Sequence, residues 1–273
     1  MIALAADVES TVRTRWPQRG APWADALPAE LDTLCDALGV TPRRTYTARF
    51  ALVVQAATAT GAALVLRSSP DPDAGHQAAV LRRLADVELA PRVHAVEITP
   101  TATWSVTDSI EPGTPLRDAT PNQRSRADLI AVLRTLAEDH NGPEDAPDLA
   151  PWIRSRLTTS PLDDLPLAGG VATEAERRTA LDLLDALEPP PAGTLCHGDL
   201  SPGNALIGRD RLWLIDPRGI NGEPAYDIAV AALKAANDDP ARALSPAVAL
   251  ADAAGADPER TARWVPIAAA ARV

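Results

Sequence analysis

Lysine is almost missing from this chain: Lys234 stands alone among 26 basic residues, and the rest are arginines. Cysteine is nearly as scarce. Cys35 and Cys196 lie far apart in sequence and match no metal-ligand spacing, so a reduced, cytoplasmic chain is expected. Positive charge is in deficit, with 37 acidic side chains against 26 basic ones and a net charge of −11. Nucleic acids and anionic membrane surfaces select basic patches, so this balance argues against both as partners and suits a cationic small-molecule substrate. No apolar run approaches the length of a membrane span. The short run Ile2–Ala6 is followed at once by Asp7, Glu9, Arg13 and Arg15, too short and too quickly interrupted for a signal peptide, so none is expected at residues 1–16. Internal repeats are absent, and low complexity is limited to proline clusters at 70–72, 143–151 and 189–191.

What is present suits one enzyme of two lobes. At 273 residues, 46% of them hydrophobic, the chain can bury a sizeable core and slightly exceeds the size at which one core divides. A monomer or dimer is expected. Helical patterns at about 3–15 and 28–38 precede apolar strand runs Phe50–Ala57 and Ala62–Arg67, joined as a hairpin across Thr60 and Gly61. From His76 to Leu84, Gln77, Val80, Leu81 and Leu84 recur at helical spacing, and Val93–Ile98 and Thr103–Ile110 read as further strands. Glu111–Leu116 breaks the pattern. Beyond it, 122–138 carries Leu129, Ile130, Leu133, Leu136 and Ala137 on one helix face, and Thr173 with Glu176 forms a capping box for a helix through Leu187. The prediction is an α+β fold with a small β-rich lobe over 1–110 and a mostly helical lobe over 111–273.

Residues 195–219 carry the chemistry. Asp199 stands in a loop between Gly198 and Gly203, Asn204 follows five residues later, and Asp216 closes the strand-like run Leu212–Ile215 after a turn at 208–211. Moving the γ-phosphoryl of ATP onto a hydroxyl takes a carboxylate that orients the acceptor and receives its proton, together with oxygen ligands that hold Mg2+ against the phosphates. Asp199 fits the first role, Asn204 and Asp216 the second. Taken singly, Asp216-Pro217 and Asn221-Gly222 are ordinary turn formers. It is the order of Asp199, Asn204 and Asp216, framed by apolar strands, that points to phosphoryl transfer. His197 reads as a loop-orienting member of this catalytic group rather than a second base, because Asp199 fills that role. Asp227, at the mouth of a helix, reads as a structural brace accepting backbone N–H bonds from the loop.

His197-Gly198-Asp199, Asn204 and Ile215-Asp216-Pro217 together resemble the catalytic signature of the aminoglycoside phosphotransferase family, which has the bilobal protein-kinase-like fold. Asp216-Pro217-Arg218-Gly219 and Pro224-Ala225-Tyr226-Asp227 are similar to its streptomycin 6-kinase branch. The resemblance implies ATP and Mg2+ as cofactors, an interlobe hinge at Glu111–Leu116, and an adenine contact along Thr107, Asp108, Ser109 and Ile110. It also implies a strand cation holding the nucleotide phosphates and a helix partner for it, positions taken here by Arg67 and Gln77 where the family has lysine and glutamate. The phosphate-covering loop, Thr45–Phe50, contains no glycine. Arg218 and Glu223 are the substrate residues expected near the acceptor, and Asp163, Asp164, Asp238 and Asp239 are further carboxylates that could attract a polycation. Three readings stay open at this point: an aminoglycoside kinase, a metabolic amino-sugar kinase, and a catalytically impaired ATP-binding pseudokinase.

Overall fold

The computed structural model describes residues 4–120, 126–138, 140–158, 172–188 and 193–271. They form two compact units: the chain up to Ala78 with Pro91–Ser109, and Ala79–Ala90 with the chain from Ile110 onward.

The first unit sets two helices, α1 (Ala6–Arg15) and α2 (Gly20–Leu38), against an antiparallel sheet. Its strands are β1 (Val40–Tyr46), β2 (Leu52–Thr58), β3 (Ala63–Ser69), β4 (Val93–Ile98) and β5 (Thr103–Asp108), in the order β1-β2-β3-β5-β4. Alternation decides which face is buried. Leu52, Val54 and Ala56 of β2, Leu64 and Leu66 of β3, and Trp104 and Val106 of β5 join Trp23, Leu27, Leu31 and Leu34 of α2 in one apolar core. Helix α2 begins at Gly20 rather than near 28, since Trp23 and Leu27 extend the buried stripe and exposed Pro28 is accommodated inside the helix. Strand β1 was not expected. Its sequence is polar and contains Pro42, which an edge strand with a bulge between Pro42 and Arg44 tolerates. Thr45 and Tyr46, expected in a loop, belong to this strand.

The boundary between the units falls within α3 (Ala74–Asp86), after Ala78. From Ile110 the second unit continues with β6 (Pro112–Pro115), where a hinge was expected: Thr114 and Pro115 pair with Ile207 and Leu206. β6, β7 (Ala205–Gly208) and β8 (Leu212–Leu214) make a small antiparallel sheet. Helices α4 (Arg126–Ala137), α5 (Leu149–Thr158), α6 (Glu174–Asp185), α7 (Pro224–Ala235), α8 (Pro240–Ala254) and α9 (Pro258–Ala271) supply the rest. The capping box of α6 is formed, with Thr173 Oγ1 accepting the Glu176 N–H at 3.2 Å and Glu176 accepting the Thr173 N–H at 2.6 Å. Helix α5 was missed. Its stripe of Leu149, Ile153 and Leu157 begins inside a proline cluster, and Pro151 is harmless in the first turn, where N–H groups lack helical partners. Helix α7 is the axis of this core, buried along Tyr226 and Ile228–Leu233, with Ala243 and Ala247 of α8 and Trp264 of α9 packed around it. No described helix is long and apolar enough to cross a membrane.

Candidate active site

Two segments of the second unit are stitched together by main-chain bonds. On the first, Leu195 donates to the His140 carbonyl at 2.8 Å and leads into Cys196 and His197. On the second, the Ile215 N–H donates to the Asn204 carbonyl at 2.9 Å and the Arg218 N–H to the His197 carbonyl at 2.8 Å. Gly198 lets this happen. It has φ +77°, and a Cβ there would lie 2.7 Å from Arg218 Cβ, closer than atoms can pack.

His197 is fully buried between these segments. Its Nε2 lies 3.0 Å from the Ile215 carbonyl oxygen and therefore carries the proton, which leaves Nδ1 to accept the Asp199 N–H at 3.3 Å. Burial lowers its pKa, so the ring is neutral at pH 7 and holds both segments. Asp227 is also fully buried, in the first turn of α7, and its two oxygens accept the N–H groups of His197 at 2.7 Å and Gly198 at 2.8 Å. Burial pushes its pKa up to about 7, against the pull of those two donors. This is the brace geometry expected of Asp227.

The Asp199 carboxylate is half-buried, its side chain 24% exposed, with Oδ2 3.2 Å from Arg218 Nη2. The Arg218 guanidinium lies 5.8 Å from the centre of the Trp152 ring, a neighbour on α5 that the unrecognised helix had hidden. Asn204 donates Nδ2 to the Asp199 carbonyl at 2.9 Å, which fixes the amide and leaves Oδ1 as an oxygen donor. Asp216 is exposed and adopts φ +57°, a left-handed conformation that aspartate tolerates better than most residues. Among the described residues, no three His, Cys, Asp or Glu side chains cluster as a metal site; Asn204 and Asp216 are the residues here that could hold a cation. Their oxygens suit a hard divalent ion.

The expected acceptor carboxylates fare differently. Glu223 is 5% exposed, and its two oxygens are engaged by Arg260 and Trp264 of α9; it ties α9 to the start of α7 and does not face a substrate. Asp238 pairs with Lys234 at 3.0 Å, and Asp239 caps α8 by accepting the N–H groups of Ala241 and Arg242. Asp163 and Asp164 lie outside the described residues. Sequence reasoning also missed Asn221, taken for a turn former. It is buried, and its amide donates to the carbonyls of Pro143 and Ala146 at 2.9 and 3.2 Å.

In the first unit, Arg67 sits on β3 opposite Val53 and Ser105, on the sheet face away from the α2 core. Its Nη2 is 3.3 Å from Gln77 Oε1, the bond expected between the two. Thr107 shares that face, in register with Val65, whereas the Asp108 carboxylate is 2.7 Å from His94 Nε2. Alternation along β5 therefore sends the Thr107 and Asp108 side chains to opposite faces of the sheet. Ser109 accepts from Gln55 at 2.9 Å, and Ile110 begins the second unit.

A family model described as "Phosphotransferase enzyme family" matches residues 48–264. Comparison with curated protein sequences gives no match. Among solved structures, an aminoglycoside-3'-phosphotransferase of type VIII aligns with a TM-score of 0.62 at 19% identity, covering 90% of this chain and 98% of its own. A choline/ethanolamine kinase family protein from Mesorhizobium loti aligns at 0.56 and 17% identity, covering 92% and 95%. An amicoumacin kinase in complex with AMP-PNP, Ca2+ and Ami aligns at 0.56 and 13%, covering 82% and 71%. At these identities the likeness is one of fold: the protein-kinase-like α+β fold expected from the signature.

Proposed function

The chain belongs to the phosphotransferase enzyme family, and from that premise we propose that it transfers a phosphoryl group from MgATP to a hydroxyl of an amine-bearing small molecule, an aminoglycoside of streptomycin type. The observation that carries this reading is the Asp199 loop, where a half-buried carboxylate is held by a neutral His197 and a bracing Asp227, in one segment with the oxygen donors Asn204 and Asp216. MgATP, when bound, supplies the transferable phosphoryl group. Asp199 orients the acceptor hydroxyl and takes its proton as the new O–P bond forms. Arg218, 3.2 Å from Asp199, aims that carboxylate. Asn204 and Asp216 hold the cation, and Arg67 meets the nucleotide phosphates from its strand.

The choice of acceptor rests on the net charge of −11 and on the Asp216–Gly219 and Pro224–Asp227 segments, since Glu223, Asp238 and Asp239 have structural partners. The test is ADP release by the purified protein with MgATP against streptomycin, other aminoglycosides, glucosamine, choline and simple alcohols, with and without EDTA. Turnover should need the divalent ion, and KM for the preferred amine should rise with salt, because exposed charge pairs are screened over roughly 10 Å at 0.1 M. Turnover in EDTA removes the metal assignment, and equal use of neutral and aminated sugars removes the cationic acceptor. MgATP binding without turnover on any acceptor leaves the pseudokinase.

A further inference from the structure

Charge is spread unevenly along this chain. Between Asp36 and Asp71 stand four arginines, Arg43, Arg44, Arg49 and Arg67, and no carboxylate, in a protein whose net charge is −11. The stretch forms β1, β2 and β3, so one part of the sheet is basic in an acidic protein. Register decides which of these arginines share a face. After a bulge between Pro42 and Arg44, Arg44 stands opposite Gln55 and Tyr46 opposite Val53, and Val53 is in turn opposite Arg67. Val54 and Leu66 belong to the α2 core, so Arg44, Tyr46, Val53 and Arg67 lie on the other face.

Arg44 is exposed, yet it is held in place. Its Nη2 donates to Tyr46 Oη at 2.8 Å, and its guanidinium carbon lies 4.7 Å from the centre of the Tyr46 ring. The phenol takes up one of five N–H groups and none of the charge, and among the described residues no carboxylate pairs with Arg44. Strands β1 and β3 lie two strand spacings apart, roughly 10 Å, with the short Val53 side chain between them. The result is a trough with an apolar floor and a guanidinium on each margin.

We propose that Arg44, locked on Tyr46, is a second phosphate-binding arginine, and that Arg44 and Arg67 grip the polyphosphate of the nucleotide from opposite margins of this trough. The inference rests on the function proposed above. A polyphosphate presents anionic oxygens along its length, and a guanidinium meets them with charge-assisted hydrogen bonds. The segment Thr45–Phe50 has no glycine with which to wrap main-chain N–H groups around phosphate. Arg44 supplies from a strand side chain the contact that such a loop would give.

The test is calorimetric titration of the parent and variants with MgATP, magnesium tripolyphosphate and adenosine, with Tm measured in the absence of ligand. Arg44→Gln keeps a side chain able to donate to Tyr46 and removes the charge. It should raise Kd for MgATP and for tripolyphosphate about 5- to 20-fold and leave Kd for adenosine within about twofold. Tm should stay within about 2 °C of the parent. Tyr46→Phe keeps the ring and removes the bond that aims Arg44; it should raise Kd for MgATP about 2- to 5-fold in the parent and add little in the Arg44→Gln background. Unchanged Kd for MgATP in both single variants, an equal effect of Tyr46→Phe in both backgrounds, or a loss of adenosine binding as large as that of MgATP overturns the arginine grip alone. Arg44-dependent binding of MgATP and tripolyphosphate by a chain that phosphorylates no acceptor supports the grip and overturns the proposed function. A parent chain that binds neither at millimolar concentration overturns both.

Discussion

Asp199 and Arg67 are charged side chains held in contrasting ways. Around Asp199 most bonds join a main-chain group to a side chain: its N–H reaches the His197 ring, its carbonyl accepts from the Asn204 amide, and the neighbouring N–H groups of His197 and Gly198 end on Asp227, while its carboxylate pairs with Arg218. Around Arg67 the contacts run from side chain to side chain, through Gln77 to Asp71. A main-chain network depends on the path of the backbone and so on Gly198 and on buried residues such as Asp227. A side-chain relay depends on three separate residues, each replaceable without redirecting the chain.

The contrast breaks most sharply at Asp199. Asp199→Asn should lower kcat by about 10²- to 10⁴-fold, the usual worth of a general base, with MgATP affinity nearly unchanged in titration. Equal kcat in variant and parent would falsify the assignment. Arg67→Ala should instead weaken MgATP binding by about 1.5–3 kcal/mol, the range for a hydrogen bond to a charged group. An unaltered Kd would make Arg67 a solvated strand end.

Asp227→Asn probes the main-chain network through pH. The amide NH2 replaces one of the two accepting oxygens and sets a donor against one of the two N–H groups, so unfolding free energy should fall by about 1–3 kcal/mol. The sign of the pH dependence follows from a folded pKa raised to about 7. The contribution from that raised pKa is complete below an unfolded value near 3.9 and is lost as pH rises through about 7. The deficit of Asp227→Asn relative to the parent should therefore shrink from about pH 4 to about pH 7, as measured by urea unfolding at each pH. His197, whose pKa is lowered, acts in the opposite sense: its stabilisation is present above roughly 6.5 and is lost as pH falls through its folded value. Because His197 is present in both proteins, its contribution largely cancels in the comparison. A deficit that grows toward neutral pH would count against Asp227 as a proton-binding brace.

The smallest effect on activity is expected at Glu223. Glu223→Gln removes the carboxylate that Arg260 and Trp264 share, so stability should drop by about 1–3 kcal/mol in denaturant titration. KM for the acceptor should stay within about twofold. A large rise in that KM would return Glu223 to the substrate.

The candidate site was legible in sequence because its parts are local. Asp199, Asn204 and Asp216 lie on one loop and hairpin, so their order along the chain is already their order in space, and the capping box of α6 is local in the same way. Alternation in β2, β3 and β5 and the apolar stripes of the helices likewise foretold the α+β division. Strands β1 and β6 were not legible, since proline and polar residues read as loops until a neighbouring strand pairs with them. Nor was the fate of Glu223, which depends on α9 arriving from 37 residues away. Asp71 is the clearest case. In sequence it is one acidic residue in the Pro70–Asp73 turn, and only the packing of α3 beside β3 brings Gln77 between it and Arg67. The sequence by itself determined residue types, periodicities and contacts within a turn or hairpin, because these act over a few covalent bonds. The tertiary structure alone decided which carboxylates are accessible and which are already engaged, because a side chain's environment is set by elements whose distance along the chain carries no local signal.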